Sequence, residues 1–315
     1  VTDIHEQAIV SREQAGDRLD KVAANLFDTF SRAQLSRFIA AGALTVNGHA
    51  QKGRFKLKGG ESLELKAERE VREAWSQPED IALDILYEDD DLLVLNKPAG
   101  LVVHPGAGNP AGTLVNALLH HRPGLDALPR AGIVHRLDKE TSGVMVVAAS
   151  DAAQLALTRA IGQRQVERRY LGITEGRMVS GQDVDMPIGR DPRVRTRQAV
   201  RDDGKPAFTE FRVLERWRLH TLVAARLGSG RTHQIRVHLQ SIGFPLVGDR
   251  RYGARGRIPP GATMDVIETV RQFRRQALHA HTLAFKHPIS ESDIAFEAPW
   301  PDDMLGLAAV LRDDV

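Results

Sequence analysis

The chain contains no cysteine, which excludes disulfides and thiolate metal sites. No stretch approaches the ~18 uninterrupted apolar residues that a membrane-spanning helix requires. The first residues, Val1-Thr2-Asp3-Ile4-His5-Glu6, lack the basic segment and apolar run of a secretion signal, so a cytoplasmic location is expected. Internal repeats and low-complexity segments are missing too. There is no Gly-x-x-x-x-Gly-Lys-Ser/Thr, so no ATP site is expected. Among twelve histidines, His233 and His238, then His279, His281 and His287, lack the spacing of metal ligands, and no His-Glu-x-x-His occurs. The glycines at 106, 108 and 112, with Asp126 beyond them, superficially resemble a dinucleotide loop. Pro105 and Pro110 bracket them, however, and no parallel βαβ unit surrounds them. Neither metal nor organic cofactor is expected.

A length of 315 residues, 42% hydrophobic and 27% charged, describes a globular protein of roughly two domains. The net charge is only +2, but it is polarised. Residues 11–66 carry a local +4 and residues 159–231 a local +7, of which fifteen of the sixteen cations are Arg, while residues 291–315 carry −6. Such a distribution can offer a basic face to phosphate while the whole molecule stays near neutral. The arginine bias favours a nucleic-acid partner, because a guanidinium binds phosphate bidentately and stacks on bases.

Residues 1–10 read as a tail and 11–67 as a small basic domain. Asp17 is placed to cap a helix carrying Leu19, Val22, Ala23 and Leu26, and Ser31 a second with Leu35, Phe38 and Ile39, stopped by Gly42. Leu44 and Val46 then alternate into an Asn47-Gly48 hairpin turn, and a strand over 62–65 follows. Residues 68–80, charged and aperiodic with Pro78, read as a linker. In residues 81–315, strand-like segments at 85–87, 92–95, 144–149 and 222–227 alternate irregularly with helical ones at about 112–121, 151–163 and 233–242. That irregularity predicts an α+β fold with a twisted mixed or antiparallel sheet, not regular βαβ winding.

Three strings carry candidate chemistry. In His135-Arg136-Leu137-Asp138-Lys139-Glu140-Thr141-Ser142-Gly143, between the apolar runs 133–134 and 144–147, a carboxylate is crowded by cations; it stays ionised and suits a nucleophile. An isolated loop Asp would instead cap a turn. In Val166-Glu167-Arg168-Arg169-Tyr170-Leu171, propensity alone makes Tyr170 a half-buried strand residue. In Gly228-Ser229-Gly230-Arg231-Thr232-His233-Gln234-Ile235-Arg236, Thr232 is placed to cap a helix with Ile235, Leu239 and Ile242 buried, ended by Gly243 and Pro245. Arg231 at its mouth opposes the macrodipole and so calls for an anionic partner. The string Asn96-Lys97-Pro98-Ala99-Gly100 reads as a structural corner.

Together these strings resemble the pseudouridine synthases, in the branch that acts on large-subunit ribosomal RNA, and the match runs over most of the chain. The front domain resembles the S4-type RNA-binding module found before such catalytic domains. The resemblance implies that Asp138 is the nucleophile, that Tyr170 packs on the target base, that Arg231 pairs with Asp138, and that Leu278 lines the pocket. Arg136 is then placed to fill the space left by a flipped uridine or to hold its phosphate. Arg32, Arg37, Lys52 and Arg54 would touch RNA from the front domain. It further implies an isomerase needing no cofactor, with ribosomal RNA as partner and the helix 69 stem-loop as target. The alternatives are a pseudouridine synthase acting on another rRNA or tRNA site, a non-catalytic RNA-binding protein, against which the intact Asp138, Tyr170 and Arg231 weigh, and an RNA methyltransferase, for which the Gly-rich cofactor loop is missing.

Overall fold

The computed structural model describes residues 3–27, 30, 32–68, 77–106, 108–194, 196–254, 256–258 and 260–314. The chain forms two compact units, Val1–Glu73 and Ala74–Val315. Most of the expected linker, residues 69–76, lies outside the described residues.

In the first unit, residues 3–9 are no tail. They form strand β1 (Asp3–Ile9), which pairs antiparallel along the full length of β4 (Ser62–Glu68), from Asp3↔Glu68 to Ile9↔Ser62. The strand was illegible because its inward set, Ile4, Glu6 and Ala8, is only partly buried and includes a charge. Helix α1 (Leu19–Leu26) buries Leu19, Val22 and Ala23, but Arg18 and not Asp17 occupies its N-cap. Its first amides are satisfied by backbone: Leu19 N–H donates to Phe55 O at 2.8 Å and Asp20 N–H to Gly53 O at 3.0 Å. Asp17 instead accepts from Lys21 at 3.1 Å. Helix α2 (Arg32–Ala40) buries Leu35 and Ile39; the expected cap, Ser31, lies outside the described residues. Strands β2 (Leu44–Val46) and β3 (His49–Ala50) meet through Asn47 and Gly48. Their φ values of 48° and 77° give the primed turn that matches strand twist. The sheet order is β1-β4-β2-β3, and Leu19, Leu35, Leu44, Leu63 and Leu65 meet on one face of it.

The second unit is α+β, as expected. Its strands are β5 (Ile85–Glu88), β6 (Leu92–Lys97), β7 (Ser142–Ala148), β8 (Glu167–Glu175), β9 (Gln182–Asp185), β10 (Ile188–Arg190), β11 (Gln198–Val200), β12 (Phe208–Arg216), β13 (His220–Leu227), β14 (Leu278–Lys286) and β15 (Asp293–Glu297). Its helices are α3 (Leu114–His121), α4 (Asp151–Gly162), α5 (Gln234–Ser241), α6 (Met264–Gln272) and α7 (Asp302–Asp313). Among the described residues a nine-stranded sheet runs β5-β6-β7-β14-β8-β13-β12-β9, with β15 also on β14. Every pairing in it is antiparallel except β14 with β7. The central strands β6 and β7 are buried almost throughout, consistent with their continuous apolar runs.

The one parallel pairing sits where the Asp138 loop enters the sheet, and it depends on a glycine. Gly143 has φ +118°, and a Cβ there would stand 2.1 Å from the carbonyl oxygen of Ala280, its register partner on β14. Both strands would have to separate to admit a side chain. Gly143→Ala is therefore expected to destabilise the protein by about 3 kcal/mol or more, read as a lower denaturant midpoint. A change within about 0.5 kcal/mol would show that the pinch tolerates a side chain.

Candidate active site

Asp138 projects from the loop that precedes β7, and that loop is tied down mostly through its backbone. Lys97 is fully buried at the end of β6. Its ammonium donates to Pro98 O at 2.7 Å, Leu101 O at 2.9 Å and Lys139 O at 3.1 Å. The corner at 96–100, read as structural, thus holds the residue next to Asp138. Burial pulls the Lys97 pKa down to about 8, against the opposing charges of Glu140 and Asp138. From the other side Arg275 donates to Glu140 O at 3.2 Å, and Gln276 to the Thr141 hydroxyl at 3.1 Å. His135 Nε2 accepts from Val146 N–H at 3.1 Å, and burial, reinforced by the charge of Arg168, pushes its pKa to about 3. The imidazole is neutral at physiological pH.

The partner of Asp138 is Arg236, not Arg231. Arg236 Nη1 donates to Asp138 Oδ2 at 2.9 Å. Its Nε and Nη2 grip both oxygens of Asp249 at 2.7 and 2.9 Å, and the face of Tyr252 lies 4.9 Å beneath it. Arg231 spends its Nε on Pro206 O at 3.1 Å. The expected cap also moves: His233, with φ 58°, is the N-cap of α5, and Thr232 is not. The left-handed His233 turns the chain so that α5 enters the core with every residue from Gln234 to Leu239 buried. Arg236 therefore points inward, toward Asp138, from the first turn. His233 Nε2 stands 4.0 Å from Asp138 Oδ1, and its Nδ1 is 2.7 Å from the Tyr252 hydroxyl.

Asp138, Tyr170, Leu278, Arg136, Arg231 and Arg236 line one cleft of about 890 Å³. Tyr170 on β8 and Leu278 on β14 are buried, at 6% and 4% exposure. Burial raises the Tyr170 pKa; Arg168 opposes this and Asp138 adds to it. Arg136 is exposed. Asp138 is the sole carboxylate among the lining residues, whereas Arg130, Arg136, Arg164, Arg168, Arg231 and Arg236 all reach the cleft. In the first unit Arg37, Lys52 and Arg54 are exposed, and the Arg32 side chain lies outside the described residues. Among the described residues no group of three or more His, Asp or Glu side chains could hold a metal ion, and no helix is long and apolar enough to cross a membrane.

Reading the sequence alone missed Arg236, Asp249, Tyr252 and His233. Arg236 ended the string already singled out, but a helix buried all round has no polar face from which to read direction. Asp249 and Tyr252 lie in a turn with no periodicity; only a bidentate demand from Arg236 could have pointed to them.

A lone carboxylate braced by a buried guanidinium, in a cleft otherwise charged by arginines, defines a site for chemistry on a polyanion. Comparison with known proteins gives the family. Residues 91–241 match the model for RNA pseudouridylate synthase. The chain is 51% identical, over 97% of its length and 94% of the relative's, to the ribosomal large subunit pseudouridine synthase D of Vibrio parahaemolyticus. It is likewise 51% identical, over 98% and 93%, to the protein of that name from Xanthomonas campestris. The solved structure of human RNA pseudouridylate synthase domain containing 1 superposes with a TM-score of 0.56 at 26% identity, covering 76% of this chain and 90% of that one. The chain belongs to the RNA pseudouridine synthase family of isomerases.

The two arginines can be told apart by substitution. Arg236→Met removes one partner of a buried charge pair and is expected to lower kcat/KM by at least about 10²-fold, with a loss of stability from the orphaned Asp249. Arg231→Met should stay within about tenfold of the parent. The reverse order, in steady-state rates on one RNA, would restore the Arg231 assignment.

Proposed function

We propose that this protein isomerises uridines of large-subunit ribosomal RNA to pseudouridine, with Asp138 as nucleophile and the helix 69 stem-loop as target. The observation that carries it is the Asp138–Arg236 pair, whose 2.9 Å bond aims the one carboxylate of an arginine-lined cleft. Support for the large-subunit substrate comes from relatives of that name, matched over nearly the whole chain. The stem-loop rests on the resemblance of the sequence motifs.

In the reaction the bond from uracil N1 to ribose C1′ breaks, the base turns, and C5 bonds to C1′ while the C5 hydrogen leaves as a proton and N1 takes one up. Bonds are only rearranged within one nucleotide, so no net redox change is required. Asp138 acts during cleavage, by attack at the sugar C1′ or the base C6 or by assisting proton loss from C2′. The Tyr170 ring stacks on uracil, and its phenol, held neutral by burial, is able to move a proton between carbon and base. Leu278 supplies an apolar wall. A uridine in a stem-loop must leave the helix to reach Asp138, at a cost of a few kcal/mol. Arg136, exposed near the nucleophile, fills the vacated place.

Asp138→Asn is nearly isosteric, so RNA binding should persist while tritium release from 5-tritiated uridine in the RNA falls to background. Turnover by the Asn variant within tenfold of the parent would sink the nucleophile assignment.

The first unit we read as an S4-like RNA-binding module. Its support is the pair of helices, the hairpin and the exposed Arg37, Lys52, Arg54, Lys56 and Lys58. Each phosphate contact removed should reduce the salt dependence of rRNA binding by about one unit of slope. Lys52→Gln and Arg54→Gln, measured across a salt series in the full chain, should each lower that slope and leave turnover of bound RNA intact. Unchanged slopes would assign this face to a protein partner.

A further inference from the structure

Three arginines among the described residues are at most 9% exposed: Arg236, Arg275 and Arg168. Arg236 has Asp249 and Asp138, and Arg275 has Asp303 at 2.6 Å. Among the described residues Arg168 has no carboxylate, and its Nε is buried with no hydrogen-bond partner. A guanidinium cannot shed its proton to escape this, and a buried unpaired charge is destabilising unless something supplies the opposite sign. The cleft that Arg168 lines contains a single carboxylate, already bonded to Arg236. A ligand entering the cleft is placed to supply that anion.

Its place on β8 says which part of the ligand. Burial alternates over the first four residues of the strand, with Arg168 and Tyr170 buried and Arg169 exposed, where it pairs with Glu167 at 2.6 Å. Side chains two residues apart on one face stand about 7 Å apart along the strand, which is the span from the base of one nucleotide to its own phosphate. Gly230 leaves the room: a Cβ there would meet Arg168 Nη1 at 3.0 Å. A second donor shares the cleft wall. His135 Nε2 accepts from Val146 N–H, so its proton sits on Nδ1, which is buried without a partner.

We propose that Arg168, assisted by the Nδ1–H of His135, receives the phosphate of the flipped uridine whose base lies on Tyr170. The proposal rests on the RNA-isomerising function above. A uracil carbonyl would satisfy the hydrogen bonds of the guanidinium but leave its charge unpaired; a phosphate satisfies both. The site is thereby built to hold one nucleotide by both ends, with Asp138 at the sugar between them.

The test is a double-mutant cycle in the full-length protein, crossing Arg168→Met with a stem-loop RNA carrying a neutral methylphosphonate on the 5′ or 3′ side of the target uridine. Either change alone is expected to lower kcat/KM by about 10²-fold, and the two together by no more than one. Additive losses would overturn the contact. So would a wild-type enzyme indifferent to both neutral linkages, a result that needs no variant. Arg168→Met should keep or raise the Tm, because it removes an unpaired buried charge; a fall of several degrees would assign Arg168 to the fold instead. Turnover of the unmodified RNA by wild type is a separate measurement, and its absence would reject the function and not this contact.

Discussion

Everything in the cleft depends on one buried cation shared between two carboxylates. Arg236 binds Asp249 through both of that residue's oxygens and keeps its remaining Nη1 for Asp138. A planar guanidinium is the side chain that can do this, since it presents bidentate and single contacts from one rigid fork. The arrangement has a consequence for charge. One cation between two anions leaves a net negative charge, and Asp249, buried and doubly bonded, is the better neutralised of the two. Asp138 is thus oriented by a cation whose charge is largely met elsewhere. Tyr252 closes the underside of the guanidinium at 4.9 Å, so the group has little freedom to swing away.

The other cations near Asp138 are used differently. Lys97 and Arg275 reach the loop through carbonyl oxygens of Lys139 and Glu140, not through the carboxylate. They fix the backbone just after Asp138 without forming an ion pair with it. The Gly143 pinch between β7 and β14 sets the third boundary, because it brings the loop's exit to the strand that carries Leu278. Position comes from backbone ties at the loop, and charge balance from a helix 98 residues away in sequence.

How much of this was legible follows from the range of each interaction. The string around Asp138, the strand bearing Tyr170 and the α+β sheet are local patterns that the sequence displays directly. The identity of the pairing arginine was not local. Arg231 and Arg236 lie within six residues, and choosing between them requires the direction of α5. That direction is set by a left-handed His233 and by burial on every side, neither of which hydrophobic periodicity encodes. Strand β1 was lost for a related reason: a partly buried strand carrying Glu6 on its inner set shows no clean alternation, and only its pairing with β4 defines it.

Charge counted along the chain was similarly blind to where charge is spent. The segment 159–231, at a local +7, resembles a uniform basic face. In the folded protein many of its arginines answer carboxylates at the surface: Arg169 with Glu167, Arg201 with Asp203, Arg212 with Asp183 and Glu210, Arg226 with Glu210. Arg164, Arg168 and Arg231, which line the cleft, pair with no carboxylate among the described residues. Folding therefore sorts one arginine-rich stretch into a solvated, internally compensated part and an uncompensated part facing Asp138. Surface pairs of the first kind contribute little and are screened by salt. The uncompensated arginines concentrate the attraction for phosphate beside Asp138, which is how a chain of net charge +2 presents a strongly cationic site to RNA.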